Sequence, residues 1–136
     1  MSTVKPPVDP EGNPRVKAVF DDIRATRKTD FIGNVWKYLA FDAALLENVW
    51  GEIKAVMATE TLIDSKTKEM IYAAVSIANG CDYCIHSHTA QAKAKGMTNA
   101  EHAEFLQIVA LATKTNSLLN AIHVPIDSVM DAAAEH

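Results

Sequence analysis

Apolar residues recur at intervals of three and four along most of the chain, which is the spacing of amphipathic helices. No alternating run of apolar and polar residues is long enough to predict a strand. Residues that favour the ends of helices flank most of the apolar stripes. The pattern therefore predicts an all-α fold, with helices that begin near Pro14, Asp30, Asp42, Asp64 or Ser65, Asp82, Thr98 and Pro125.

The apolar stripes also predict which helix faces are buried. The helix that ends near Asn79 should bury its apolar strip rather than the strip that carries Glu69. The helix after Thr98 is apolar almost all round, so we expect it to be buried, and a subunit interface would bury it. The segment 116–123 is predicted to be a turn or a short helix. The residues expected to be buried are Met70, Ile71, Ala74, Val75, Ile77 and Ala78 on the first helix and Phe105, Leu106, Ile108, Val109, Leu111 and Ala112 on the second.

Length and composition indicate one domain, since 136 residues are typical of a single domain. Residues 1–14 hold four of the five prolines and are predicted to form an extended arm, which leaves residues 15–136 as the helical domain. The net charge is −4 and no basic patch is present, so we expect no nucleic-acid partner. No apolar run reaches the ~20 residues of a membrane span, and the N-terminus lacks the apolar core of a signal peptide. These features predict a cytoplasmic protein without a membrane partner.

Both cysteines of the chain lie in one stretch, residues 81–88, between two predicted helices. Gly80 is predicted to end the first helix and the second begins directly after it, which places both thiols at a helix N-terminus. The unpaired N–H groups and the dipole at that end favour a thiolate, which is the reactive form of cysteine. Spacing does not decide which cysteine attacks a substrate. Because Cys84 shares a helix face with His88, we predict Cys84 as the nucleophile and Cys81 as the resolving thiol.

A carboxylate on the preceding helix, Glu69, is expected to face His88. Glu69 lies eleven residues before Gly80, roughly 16 Å along its helix at 1.5 Å per residue. His88 lies eight residues after Gly80, roughly 12 Å along the next helix. If the two helices are antiparallel, Glu69 can orient His88 directly or through water, while His88 takes a proton from Cys84.

Other interpretations of these residues stay open. The two cysteines can be small buried apolar side chains, and Glu69 can be a solvated carboxylate beside neighbouring lysines. A metal could be bound by Cys81, Cys84 and His88 or His86, but a structural zinc site needs four ligands, so we assign no metal. We expect His86 to lie at the surface or behind the reacting groups.

Glu69 followed by the pattern C-x-x-C-x-x-x-H, formed by Cys81, Cys84 and His88, resembles the active-site pattern of alkylhydroperoxidase D-like (AhpD-like) proteins of the carboxymuconolactone decarboxylase superfamily. The similarity spans about residues 64–112. The resemblance implies a helical AhpD-like fold, a homo-oligomer (commonly a trimer or hexamer), and a thiol-dependent peroxidase or disulfide reductase. It also implies that Cys84 attacks a hydroperoxide, that Cys81 resolves, and that Glu69 and His88 relay protons.

Tyr83 departs from the best-known members of this family, which carry a histidine at that position. Its phenol can donate a hydrogen bond but cannot act as a base near neutral pH. We predict an antioxidant peroxidase that reduces organic hydroperoxides through a Cys81–Cys84 disulfide. It would need no cofactor, only an external dithiol reductant such as a thiol or lipoyl-type electron donor. The rival hypotheses are a carboxymuconolactone decarboxylase-type lyase and a non-enzymatic redox-sensing or metal-stabilised oligomer.

Overall fold

The computed structural model of the chain describes residues 1–59, 61–130 and 133. Within these residues the regular structure is helical and contains no strand, which confirms the predicted all-α fold. Short turns of other helix types lie at Pro10–Gly12 and Ser128–Met130 (3₁₀) and at Lys54–Ala58 (π). The α-helices are α1 (Pro14–Arg27), α2 (Asn34–Leu39), α3 (Ala43–Ile53), α4 (Ser65–Asn79), α5 (Asp82–Ala94) and α6 (Asn99–Ile122).

The chain divides into two compact units, Met1–Ser65 and Lys66–His136. None of the described helices combines the length and the apolar character of a membrane span.

The first unit packs α1, α2 and α3 around one apolar core. The rings of Trp36 and Trp50 meet edge to face, with 5.4 Å between their centroids. The indole N–H of Trp50 donates to the carboxylate of Asp22 at 2.7 Å, which satisfies its polar atom at the edge of the core. The buried members of this core are Val16, Val19, Phe20, Ile23, Ile32, Trp36, Ala40, Leu46 and Trp50.

Two of the predicted helix starts in this unit have different outcomes. Asp42 caps α3 as predicted, because its side chain accepts a hydrogen bond from the N–H of Leu45 at 2.8 Å. The predicted start at Asp30 is wrong, since α2 begins at Asn34 with Gly33 as its N-cap. Residues 31–33 are not helical, and the side chain of Ile32 is buried. A helix that began at Asp30 would point this side chain in a different direction.

The second unit contains α4, α5 and α6. Contacts join the beginning of α4 to the end of α5, while the end of α4 adjoins the beginning of α5, so these two helices are antiparallel. Lys66 in the first turn of α4 forms an ion pair with Glu101 in the first turn of α6 at 2.9 Å. The predicted start of α6 near Thr98 is confirmed. Thr98 and Glu101 form a capping box there, because each side chain accepts a hydrogen bond from the backbone N–H of the other residue.

The predicted buried face of α4 is wrong for this unit. Glu69, Ala73 and Ser76 are the buried residues of the helix, whereas Ile71 and Val75 are 50% and 55% exposed. The small side chains of Ala73 and Ser76 occupy little space on this face, and Glu69 finds polar partners on α5. The polar strip is therefore the one turned inward, and the apolar strip is left at the surface of the chain.

The prediction that α6 is buried is also wrong within the single chain. Phe105 is buried, but Leu106, Ile108 and Leu111 are 45% to 62% exposed. A helix that is apolar all round needs neighbours on every side, and the described part of the chain does not supply them.

The C-terminal part of the chain differs from its prediction as well. The helix α6 continues through 116–122, where a turn or short helix was predicted, and ends at His123 in the left-handed conformation. The predicted helix from Pro125 is not present over 125–127, and Ser128–Met130 forms only a 3₁₀ turn. The remainder of that predicted helix lies largely outside the described residues.

Candidate active site

The backbone between α4 and α5 is fixed by a Schellman motif around Gly80. The N–H of Gly80 donates to the carbonyl of Ile77 at 3.2 Å, and the N–H of Cys81 donates to the carbonyl of Ser76 at 3.0 Å. Gly80 has a φ of +68°, a backbone conformation that residues with a Cβ adopt only with strain. Cys81 is thus the last residue of this motif and also the N-cap of α5, so one short segment sets the direction of both helices.

Both cysteines lie at the N-terminus of α5, as predicted from the sequence. Cys81 is the N-cap, and its sulfur accepts a hydrogen bond from the N–H of Cys84, in the first turn, at 3.4 Å. Their sulfur atoms are joined as a disulfide, with the Cα atoms 5.3 Å apart. Both residues are partly buried. The two cysteines therefore form a disulfide at the N-terminus of α5.

His88 and Glu69 meet directly rather than through water. Nδ1 of His88 lies 2.6 Å from Oε2 of Glu69, and the two side chains are only 13% and 6% exposed. Because an ionised carboxylate accepts hydrogen bonds only, Nδ1 of His88 is the donor and Nε2 is left for another partner. The predicted pairing of the two antiparallel helices at this depth is confirmed, and the solvated carboxylate considered for Glu69 is excluded.

Lys95 completes this cluster and was not anticipated from the sequence. Its Nζ donates to Oε1 of Glu69 at 2.9 Å, on the oxygen that His88 does not use. Burial acts to raise the pKa of Glu69, but the hydrogen bonds from His88 and Lys95 and their charges outweigh it, so the pKa is lowered. The sequence could have predicted this contact, because Lys95 follows His88 by seven residues, which places both on one face of α5, two turns apart.

Tyr72 is a second contact that sequence reasoning did not single out. Its ring stacks on the imidazole of His88, with 3.6 Å between centroids and 24° between planes. Tyr72 lies one turn after Glu69 on α4, so the same helical repeat places both beside α5. Glu69 and Tyr72 together fix the position and the plane of the His88 ring.

Two further residues that the sequence singled out lie at the surface of the chain. Tyr83 and His86, on the first turns of α5, are exposed. His102 is partly buried and stacks on Phe105 with 6.2 Å between centroids, and His136 lies outside the described residues. Over the residues that the structure describes, no group of three His, Cys, Asp or Glu side chains is placed to hold a metal ion.

Comparison with known proteins gives two matches that include these residues. Residues 41–127 match the Carboxymuconolactone decarboxylase family. The crystal structure of the alkylhydroperoxidase AhpD core from Rhodospirillum rubrum ATCC 11170 is similar to this chain, with 55% sequence identity and a TM-score of 0.91. That similarity covers 95% of this chain and 96% of the Rhodospirillum chain. No protein with a curated description matches.

Proposed function

Because this chain belongs to the carboxymuconolactone decarboxylase family as an AhpD-like member, we propose that it is a thiol-dependent peroxidase that reduces organic hydroperoxides. The observation that carries the proposal is the Cys81–Cys84 pair at the N-terminus of α5, one turn before a histidine whose Nδ1 is held by Glu69. The comparisons support alkylhydroperoxidase activity at the level of the family. The dithiol cycle and the role of each residue belong to the proposal.

In the first step, Nε2 of His88 takes the proton of the Cys84 thiol. The thiolate attacks the terminal oxygen of the hydroperoxide R–O–OH, the O–O bond breaks, and Cys84 becomes a sulfenic acid. The leaving alkoxide receives the proton from His88 and departs as the alcohol. One thiol is oxidised and the peroxide is reduced by two electrons.

In the second step, the sulfur of Cys81 attacks the sulfur of Cys84. The S–O bond of the sulfenic acid breaks, the hydroxide leaves with the thiol proton as water, and the Cys81–Cys84 disulfide forms. An external dithiol, of the thiol or lipoyl type, then reduces the disulfide by exchange and is itself oxidised. No bound cofactor takes part in this cycle.

The polar groups around His88 support its role as the base in this mechanism. Glu69 accepts from Nδ1 and stabilises the imidazolium that forms when Nε2 takes the proton. Tyr83 is at the position of a histidine in the best-known family members, so the proposed path runs through His88 alone. The Tyr83 side chain is exposed, and a phenol can donate a hydrogen bond.

The assembly and the cellular setting are part of the same proposal. We infer a homo-oligomer, a trimer or hexamer, in which the exposed apolar side chains of α4 and α6 are covered. A cycle that depends on an external dithiol suits the reducing cytoplasm and an antioxidant role. Light scattering on the purified protein would measure the number of subunits.

The experiment that tests the proposal is a peroxidase assay with an organic hydroperoxide and dithiothreitol. We expect Cys84→Ser to lower turnover to the rate of dithiothreitol alone, because the nucleophile is lost. Cys81→Ser should still react once and leave a sulfenic acid on Cys84 that dimedone traps. Mass spectrometry of the wild-type protein after one equivalent of peroxide should find the Cys81–Cys84 disulfide. Unchanged turnover in Cys84→Ser would refute the proposal.

A lyase is the second candidate, because the matching family is named for carboxymuconolactone decarboxylase. A lyase of this kind has no need of the dithiol. It therefore predicts decarboxylation of a lactone acid by a variant in which both cysteines are serine, together with no peroxide turnover. A redox sensor would instead form the disulfide once and change its assembly without turnover.

A further inference from the structure

We propose that Lys95 is a positioning residue that holds the Glu69 carboxylate in place against His88 and so sets the protonation of the His88 ring. The proposal rests on the proposed function, since it assigns the base of that reaction a further partner. Lys95 follows Cys84 by eleven residues, about 16 Å along the helix at 1.5 Å per residue, so it acts through Glu69 and not on the sulfur. It lies outside the motif that suggested the activity, at the opposite end of α5 from the cysteines.

Each carboxylate oxygen of Glu69 accepts a hydrogen bond from one residue of the α5 segment. Oε2 accepts from Nδ1 of His88 at 2.6 Å, and Oε1 accepts from Nζ of Lys95 at 2.9 Å. The carboxylate is only 6% exposed, so water cannot easily replace either contact. A carboxylate held at both oxygens cannot rotate away from His88. Lys95 therefore contributes to the orientation of a ring that it does not touch.

The backbone around Lys95 is fixed as well as its side chain. Lys95 is the C-cap of α5, and Gly96, with a φ of +103°, closes a second Schellman motif. In that motif the N–H of Gly96 donates to the carbonyl of Lys93 at 3.0 Å, and the N–H of Met97 donates to the carbonyl of Ala92 at 3.0 Å. A cation at a helix C-terminus is also favoured by the helix dipole.

The charges in the cluster give Lys95 a second effect. A carboxylate beside an imidazole favours the protonated ring, and only the neutral ring can accept the proton of Cys84. The positive charge of Lys95 on the same carboxylate balances that preference. Lys95 also opposes the movement of a proton onto Glu69, so Glu69 acts as a fixed anion and not as a proton carrier. From α4, the ring of Tyr72 packs on the His88 ring.

The test compares three variants in the full chain. Lys95→Met removes the charge with little change in size, Lys95→Arg keeps the charge, and Lys93→Met removes an exposed lysine from the same last turn of α5. We expect Lys95→Met to lower kcat/KM at pH 7 by roughly 10- to 100-fold, by analogy with the loss of the outer partners that orient metal-ligating histidines. The rising limb of its pH profile should move up by about one unit. Lys95→Arg should recover most of the activity, and Lys93→Met should match the wild type.

A pH titration of the His88 ring by ¹⁵N NMR measures the same effect without turnover. In Lys95→Met the ring should stay protonated to a higher pH than in the wild type and in Lys93→Met. An unshifted titration in Lys95→Met, or an equal shift in Lys93→Met, would overturn the role of Lys95. If Lys95→Met does not fold, Lys95→Gln replaces it with the same expected shift. If the wild type does not reduce hydroperoxides, the proposed function is wrong, and the NMR titration alone then tests the positioning role of Lys95.

Discussion

Replacement of Gly80 by alanine would test the backbone on which both cysteines depend. A Cβ at Gly80 would meet no atom within 4 Å, so the substitution causes no clash. The left-handed φ of +68° remains, and an L-residue with a Cβ loses about 1–2 kcal/mol in that conformation. The lower entropy of the unfolded alanine chain returns about 0.4–1 kcal/mol. We therefore expect Gly80→Ala to lower the free energy of unfolding by about 1 kcal/mol.

Urea denaturation measures this difference, with the cysteines reduced and the protein concentration held constant. With a slope of about 2 kcal/mol per molar urea, the midpoint should fall by about 0.5 M. Gly51→Ala is the matched control, because Gly51 lies inside α3 and a Cβ there also meets no atom within 4 Å. Alanine should stabilise that helix by about 0.5–1 kcal/mol. An unchanged or raised midpoint in Gly80→Ala would refute the argument that its backbone conformation requires glycine.

Two further predictions concern the second unit. The pKa of Glu69 is lower in the folded protein than its value near 4.5 in the unfolded chain. Its contacts with His88 and Lys95 therefore stabilise the protein fully at a pH above 4.5, and this stabilisation is lost as the pH falls through the folded pKa. In urea denaturation, Glu69→Gln should therefore have a lower free energy of unfolding than the wild type at pH 7, and this difference should become smaller below about pH 4.5. A difference that does not change with pH would contradict the assigned contacts. Thr98→Ala removes the capping box of α6 and should cost about 1 kcal/mol in thermal unfolding, whereas Thr115→Ala, at an exposed position within the same helix, should cost nothing. An equal loss in both variants would show that the cap has no special role.

The local features of the candidate site could be predicted because they depend on neighbours in the chain. A glycine between two helical stripes predicts a left-handed C-terminus, and Gly80 and Gly96 both have positive φ. The capping residues Asp42 and Thr98 were found in the same way. Each of these interactions joins residues that are at most five positions apart, so the sequence contains both partners within one short window.

The start of α2 shows where this local reasoning stops. Asp30 is as good a capping residue as Asp42 by type, yet the helix begins only at Asn34. The difference is the burial of Ile32 in the core of the first unit, which depends on residues of α1 and α3. Capping preference amounts to about 1 kcal/mol, and the burial of a large apolar side chain contributes more, so packing decides.

By itself, the sequence determined that the chain is helical, where most of its helices begin and end, and that two thiols lie at the N-terminus of α5. Only the tertiary structure decided which face of α4 is buried. Hydrophobic periodicity favoured the strip of Ile71 and Val75, but Glu69 is the buried residue because His88 and Lys95 satisfy both of its oxygens. A buried charge is stable only with such partners, and partners on another helix are fixed by packing rather than by spacing along the chain.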